Sequence, residues 1–348
     1  MKIAHWIKLK EHLDQEDYNL ISALQKKCVV ADQSALKLEL DYKLAAALED
    51  SKKDDKKEIN EFMYFDNQQL VGYIGIGNFG GVGMPLELAG MVDPEYRKQG
   101  IFTTLNELVM AECKRRSCQE VLVLCDNNSI NGQCCIQKLG AQYDHSEYEM
   151  YLMDDYFEPE EVQLCDISFR KAINSDAYEI ARQNAIYFGD PLPEENIDKD
   201  YNEEDNGKQA NKDIEENKDK EKNKDIEKNK DKEGYEGYSS KQDMLLPEEE
   251  EKKGMLIYLA IKDNKIVGKI HLEMNSEVGG IYGLGVLPEY RGKGYGRAIL
   301  IGGIKIMKEY NRKKIMLQVA AENATALKLY KSCGFIETST MDYYELKL

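Results

Sequence analysis

The chain has 348 residues, enough for two domains of ordinary size with some remainder. Its 64 acidic and 47 basic side chains give a net charge of −17, which argues against a nucleic-acid partner. No apolar run is long enough to cross a bilayer, and the first ten residues lack the apolar core of a secretory signal. The eight cysteines include no Cys-x-x-Cys pair, so we expect reduced thiols in a cytoplasmic protein without a metal site.

The charge is concentrated in one segment. Residues 194–253 contain 22 acidic side chains and 13 lysines, a net charge of −9 from about a sixth of the chain. Within them an imperfect twelve-residue repeat runs from Asn211 to Lys222 and again from Asn223 to Gly234. Too few apolar residues are present to offset the entropy of ordering, so the segment is predicted to be a disordered insert, with a transient solvated helix as the alternative.

A second, longer repeat organises the rest of the sequence. The run Val92–Arg97 (VDPEYR) recurs 194 residues later as Val286–Arg291 (VLPEYR), and the earlier triplet Leu70–Gly72 recurs 196 residues later as Ile266–Gly268. Two motifs at nearly constant separation indicate a duplicated domain. We therefore predict an N-terminal half, 1–160, and a C-terminal half, 161–348, with the charged insert inside the second.

Both halves predict the same order of elements from their hydrophobic periodicity. The N half gives helices at 17–27 and 34–48, strands at 61–65, 70–76 and 86–92, a helix at 102–115 and a strand at 120–124. The C half gives a helix at 176–186, strands at 257–261, 266–272 and 281–286, a helix from 296 to about 310, a strand at 315–319 and a helix at 324–333. The fold class is therefore mixed α/β, present twice.

The most informative stretch is Gly283–Gly296 (GLGVLPEYRGKGYG), which joins a strand to a helix. Its glycines let the backbone approach a ligand closely, and the free N–H groups at a helix start can bind a pyrophosphate. The spacing differs from both the dinucleotide fingerprint and the phosphate-binding P-loop. A tight structural connection is the alternative interpretation.

The motif V-x-P-x-x-R-G-K-G-Y-G, followed by Asn323, Tyr330 and the pair Gly334-Phe335, resembles the GNAT N-acetyltransferase superfamily. Because the resemblance covers both halves, the chain looks like a tandem GNAT protein. The resemblance implies two GNAT folds, each a mixed, mostly antiparallel sheet flanked by helices. It also implies acetyl-CoA as the co-substrate.

The resemblance also implies roles for individual residues. In this family, the backbone of the strand that matches Leu284–Val286 pairs with the pantetheine arm, and an N–H of this strand polarises the thioester carbonyl. The residues that match the loop Arg291–Gly296 bind the pyrophosphate. Asn323 touches the co-substrate or only caps a helix, and Tyr330 is the general acid for the departing thiolate or only a core aromatic. The implied co-substrate-binding residues are Leu284, Gly285, Val286, Arg291, Gly292, Lys293, Gly294, Tyr295, Gly296 and Asn323.

No base is evident on the strand that enters the motif. Direct transfer needs a neutral amine, so a group must accept its proton. His271 and Glu273 lie two residues apart on the preceding strand and share a face, and Glu273 is the candidate base. Solvated side chains at a sheet edge are the alternative for both.

The N half departs from the motif at the positions that matter. Its loop keeps only Gly100, Phe102 replaces Gly296, and Ile136 stands where the C half has Tyr330. We therefore expect catalysis in the C half, with an N half that is structural or shapes the acceptor site. Catalysis in the N half, or a non-catalytic acyl-CoA-binding module, are the alternatives. The acidic charge favours a small-molecule amine as acceptor, although half of that charge belongs to the insert.

Overall fold

A computed structural model describes residues 5–50, 57–77, 85–153, 166–189, 244–274 and 277–348. In these ranges, twelve strands form one continuous sheet and eight helices cover its faces. The N half comprises β1 His5–Lys10, α1 Gln15–Asp32, α2 Leu40–Asp50, β2 Glu61–Asp66, β3 Gln69–Gly77, β4 Leu86–Val92, α3 Ile101–Arg115, β5 Glu120–Asp126, α4 Ile130–Leu139 and β6 Gln142–Leu152.

The C half repeats this order, as the sequence predicts. It comprises β7 Ser168–Lys171, α5 Ala177–Phe188, α6 Pro247–Lys252, β8 Met255–Lys262, β9 Lys265–Glu273, β10 Val278–Val286, α7 Tyr295–Glu309, β11 Lys314–Ala320, α8 Ala324–Ser332 and β12 Phe335–Lys347. The predicted mixed α/β fold, present twice, is therefore confirmed.

One predicted helix begins too early. The pattern over 34–48 suggests a helix from Ser34, whereas α2 starts only at Leu40. Gln33 and Glu39 both adopt left-handed backbone conformations, with φ of 51° and 50°, and a left-handed residue interrupts a right-handed helix. The intervening residues, 34–39, form an irregular connection instead.

The strand order shows how the two predicted halves, residues 1–160 and 161–348, are joined. The order is β1-β2-β3-β4-β5-β12-β6-β11-β10-β9-β8-β7, so the last strand of each half lies inside the sheet of the other half. β12 pairs with the whole length of β5 of the N half, and β6 pairs with β11 of the C half. The two halves therefore exchange their terminal strands and share one sheet, which sequence periodicity alone does not reveal.

The proposed charged insert ends earlier than the sequence suggests. Residues 244–253 belong to the described chain; within them Pro247–Lys252 form α6, Pro247 is buried, and Leu245 packs against a small core with Ile180 and Leu259. The acidic run at 248–251 forms the start of this helix, where acidic side chains complement the helix dipole. Residues 194–243, including both copies of the short repeat, lie outside the described residues.

Two long helices cover one face of the sheet, one in each half. α7 buries an apolar stripe that includes Ile299, Leu300 and Ile304 against the C-half strands, and α3 does the same in the N half with Leu105 and Val109. α1, α2 and α5 lie on the opposite face. Among the helices of the described residues, none combines the length and apolar character that a bilayer crossing requires.

Candidate active site

The two strands that frame the candidate site pair over a short distance and then separate. β10 and β11 run parallel and pair only from Val278 to Ile281 with Lys314 to Leu317. Beyond that point the remainder of β10 lacks a neighbouring strand on its β11 side among the described residues. The separation leaves backbone N–H and C=O groups available to an extended ligand. The predicted segment Leu284–Val286 lies on this unpaired end.

The end of β10 also carries a β-bulge. Its register against β9 shifts between Tyr282, opposite His271, and Gly285, opposite Lys269, so Gly283 and Leu284 together lie opposite the single residue Ile270. Gly283 has a φ of +53°, a conformation that a residue with a Cβ rarely adopts. A bulge redirects the local peptide groups away from the ladder, so an N–H here can point at a ligand instead of a strand.

The glycine-rich loop leads directly into α7. Gly294 is the N-cap residue, with a φ of 85° and no side-chain cap, so the first N–H groups of the helix are not capped by a side chain. A Cβ built at Gly292 meets no atom within 4 Å, which shows that the loop borders open space. These features fit the phosphates of a nucleotide-type co-substrate.

Hydrogen bonds to backbone carbonyls and ring contacts hold the side chains of the glycine-rich loop. The Arg291 Nε donates to the carbonyl of Val286 at 2.9 Å, which ties the loop to the end of β10. The Lys293 Nζ donates to the carbonyl of Glu289 at 2.9 Å and lies 5.6 Å from the ring centre of Tyr290. Tyr295 packs edge-to-face against the same ring. Their charged and aromatic groups thus surround the start of α7.

α8 brings the other two predicted residues to the same side of the sheet. Asn323 caps this helix, since its Oδ1 accepts from the N–H of Ala326 at 3.0 Å; a role in binding the co-substrate stays a prediction. Tyr330 is 8% exposed and packs edge-to-face against Phe335. Burial raises the pKa of the Tyr330 hydroxyl to about 12, so it holds its proton at neutral pH.

The candidate base lies on the opposite face of the sheet. Glu273 pairs with Gly280, and its Oε2 lies 3.1 Å from where a Cβ of Gly280 would be. The same face carries Tyr282, whose hydroxyl points to Met316 Sδ at 3.9 Å, across the place where β10 and β11 separate. His271 is buried, and burial together with Lys269 lowers its pKa far below the usual range, so the ring is neutral.

Two carboxylates from the N half reach the same region, and sequence reasoning missed both. Burial raises the pKa of Tyr282, and the charges of Glu39, Glu273 and Glu149 raise it further. Glu149 lies on the exchanged strand β6, directly opposite Gln318 of β11, and Glu39 precedes α2. Because pairing between the halves, and not a local motif, brings these residues near Tyr282, no local sequence signal marks them.

The corresponding site in the N half has a different chemistry. The Arg97 guanidinium makes two bonds of 2.7 Å to the Asp32 carboxylate, which raises its pKa and occupies its donors. Ile136 is buried at the position of Tyr330, and Ser129 caps α4 as Asn323 caps α8. β4 pairs with β3 without a bulge from Gly72 to Gly77. Within the described ranges, no group of three His, Cys, Asp or Glu residues is placed to hold a metal ion.

Comparison with known proteins agrees with this geometry. The model of the acetyltransferase (GNAT) family matches residues 27–140 and 223–335, one match in each half. A GCN5-related N-acetyltransferase from Sphaerobacter thermophilus superposes with a TM-score of 0.65 at 17% identity, covering 98% of this chain and 95% of that one. A tandem GNAT protein from the clavulanic acid biosynthesis pathway gives 0.62 at 10% identity, covering 99% and 98%. The chain therefore belongs to the GNAT acetyltransferase family and has its tandem-domain form.

Curated relatives match over shorter segments. A mycothiol acetyltransferase from Stackebrandtia nassauensis is 32% identical over 99 residues, which are 27% of this chain and 32% of that protein. An N-alpha-acetyltransferase from Sulfurisphaera tokodaii is 39% identical over 67 residues, which are 19% of this chain and 40% of that protein. The matched segments thus span less than half the length of these relatives.

Proposed function

We propose that the protein is an acetyl-CoA-dependent N-acetyltransferase that acetylates a primary amine of a small molecule, and that its C half carries out the reaction. One observation carries the proposal. Among the described residues, only the C half combines a strand end that is bulged and unpaired on its β11 side, a glycine loop open at the start of a helix, and a buried tyrosine that keeps its proton. The N half keeps the shape of the loop and a similar separation of β4 from β5, but β4 has no bulge and Ile136 stands in place of the tyrosine.

In this proposal, residues on one face of the sheet bind the co-substrate and protonate the leaving sulfur, and residues on the other face bind the acceptor. Acetyl-CoA supplies an acetyl group already activated as a thioester. The loop from Arg291 to Gly296 binds phosphate through N–H groups and positive charge, and the backbone of Leu284–Val286 binds the extended arm. An N–H of that strand stabilises negative charge on the carbonyl oxygen as the amine attacks. Tyr330 donates its proton to the departing sulfur.

The acidic residues on the other face support a cationic acceptor. Burial raises the pKa of Glu39 and Glu149, and the charge of Glu39 raises that of Glu149 further. Lys37 opposes both shifts without reversing them, so a further ammonium group among these carboxylates would stabilise their charged forms, and this face favours a basic amine. Glu273 is the proposed proton acceptor, and Glu149 faces the same tyrosine from the N half. If Glu273 is the base, E273Q lowers kcat more than E149Q does.

A substrate panel tests the proposal. The purified chain is incubated with acetyl-CoA and spermidine, glucosamine, an aminoglycoside, free lysine or an acidic peptide, and acetylated product is measured by mass spectrometry. This readout avoids thiol reagents, which would also label the exposed Cys134. We expect acetylation of the cationic small molecules. Activity on the acidic peptide alone contradicts the acceptor class, and binding of acetyl-CoA without any acetylation favours the non-catalytic module.

A further inference from the structure

We propose that Lys269 is a positioning residue that fixes the peptide group of the β10 bulge in the orientation needed for transfer. The inference rests on the proposed function of the C half and adds a residue to it. Lys269 lies on β9, the strand that pairs with the bulge, and its side chain is fully buried at 0% exposure. Such a lysine requires specific partners to offset its desolvation.

Those partners belong to the bulge and its immediate support. The Lys269 Nζ donates to the carbonyl oxygen of Gly283 at 3.1 Å and lies 3.0 Å from His271 Nε2. Because an ammonium group has only donors and His271 is neutral, Nε2 accepts and the ring proton resides on Nδ1. Tyr187 and Phe188 of α5 cover the ammonium with ring centres at 5.7 and 5.5 Å. The lysine is therefore fixed from several directions.

The bond to Gly283 determines the direction of the next donor. A peptide unit is planar and trans, so its C=O and N–H point in opposite directions. Holding the Gly283 carbonyl therefore sets the direction of the Leu284 N–H, which belongs to the segment proposed to stabilise the carbonyl oxygen in transfer. A hydrogen bond to the carbonyl also polarises the peptide and makes its N–H a stronger donor.

The His271 ring packs against Gly283 and restrains the same peptide group. A Cβ built on Gly283 would lie 3.0 to 3.2 Å from atoms of the imidazole ring, so the ring packs directly against the backbone at this point. The imidazole ring thus packs against Gly283 while the lysine holds its carbonyl oxygen. Gly283 tolerates this position because it lacks a side chain and can adopt a positive φ.

The N half shows what replaces the lysine where there is no bulge. Gly72 of β3 corresponds to Gly268 of β9 in the repeat, so Tyr73 stands at the position of Lys269. Tyr73 pairs with Met91 in an uninterrupted ladder, and its hydroxyl donates to Glu61. The buried lysine and the bulge between β9 and β10 occur together in the C half, and the equivalent N-half pair, β3 and β4, has neither.

The test replaces Lys269 by methionine, which keeps the length of the side chain and removes the donor. With acetyl-CoA and the most active amine of the panel, we expect kcat to fall roughly 30-fold while the KM for acetyl-CoA changes less than about threefold, as for loss of a contact made in the transition state. In the ligand-free protein, hydrogen exchange at the Leu284 and Gly285 amides should accelerate about tenfold or more. Lys265→Met, at the exposed start of the same strand, is the matched control and should change neither.

A second variant covers the case in which K269M does not fold. Gly283→Ala keeps the lysine but forces a Cβ against the His271 ring, so it should displace the bulge and lower kcat in the same way. Wild-type kcat or unchanged amide exchange in the folded K269M protein overturns the proposal; if K269M does not fold, the same results in G283A overturn it. A loss confined to the KM for acetyl-CoA overturns it also. If the wild-type protein acetylates no amine, the proposed function fails, and amide exchange still tests the role of the lysine.

Discussion

The two halves share a fold and differ at the few positions where chemistry is expected. Both place a left-handed glycine at the start of the long helix, Gly100 with φ of 84° and Gly294 with φ of 85°. Only in the C half is the preceding arginine free of a bidentate carboxylate partner among the described residues, whereas Asp32 holds Arg97. The comparison shows that the backbone of the loop is kept even where a carboxylate engages the arginine that would bind a phosphate.

The exchanged strands give the N half a structural role that does not require catalysis. Tyr343 of β12 donates to Glu147 of β6 at 2.5 Å and accepts from Lys37 of the N half at 2.5 Å. The ring of Tyr343 also stacks on His145 at 4.2 Å. These contacts join the halves at the centre of the sheet, beside the carboxylates Glu39 and Glu149. A non-catalytic N half can therefore still supply one wall of the acceptor site.

The largest expected effect comes from separating the halves. Residues 1–160 expressed alone lack β12, which leaves β5 and β6 without their shared partner, so we expect no cooperative unfolding transition. The full chain should unfold in a single transition because the sheet is continuous. Thermal unfolding followed by circular dichroism compares the two proteins. A folded, monomeric 1–160 fragment would show that the halves are independent domains.

A paired substitution tests which loop binds phosphate. Gly294→Glu and Gly100→Glu impose the same left-handed strain, about 1 kcal/mol each, so the two variants should lose similar stability. Only in the C half does the new carboxylate repel a phosphate, and we expect kcat/KM to fall about 100-fold in G294E and less than about twofold in G100E. Steady-state kinetics with varied acetyl-CoA measure the difference. The reverse pattern would assign the reaction to the N half.

A substitution of Tyr330 tests whether the C half only binds acyl-CoA or also transfers the acyl group. Tyr330→Phe keeps the packing against Phe335 and removes the proton donor, so kcat should fall about 100-fold with the Kd for acetyl-CoA nearly unchanged. Tyr310→Phe, at an exposed position just after α7, is the control. Stopped-flow or endpoint product assays measure kcat, and calorimetry measures the Kd for acetyl-CoA. Unchanged turnover in Y330F would remove Tyr330 from the mechanism.

Sequence reasoning succeeds here where the signal is local. The alternation in Leu86–Val92 and the glycines of Gly283–Gly296 identify strand, loop and helix because burial of one face and a positive φ leave direct marks on residue type. β6, with acidic residues alternating with tyrosines, instead resembles an exposed strand. Its partners lie about 170 to 200 residues away along the chain, and only their pairing explains its composition.

Lys269 shows the same limit within the site. A lysine in the middle of a strand suggests a solvent-facing position, since lysines are rarely buried. Its burial depends on the rings of Tyr187 and Phe188, which reach it from a helix about 80 residues earlier in the chain. Residues that act through tertiary contacts therefore stay outside the reach of motif analysis, whereas those that contact the ligand directly repeat across a family.

The smallest expected effect concerns a charge network of α3 that the equivalent turn of α7 lacks. Glu112 of α3 accepts from Arg115 and Arg116, and these bonds, with the Arg115 bond the strongest, lower its pKa to about 2. The equivalent turn of α7 carries Ile306, Glu309 and Tyr310. A lowered folded-state pKa gives stability that is present above pH 4.5 and disappears as the pH falls toward 2.

Glu112→Gln should therefore lower the free energy of unfolding by about 1–2 kcal/mol at pH 7 and by progressively less between pH 4.5 and 2. Urea titrations at pH 7, 5 and 3 measure the difference, with Glu107→Gln at an exposed position of the same helix as the control. An equal loss at every pH would mean that packing, and not the charge, is responsible.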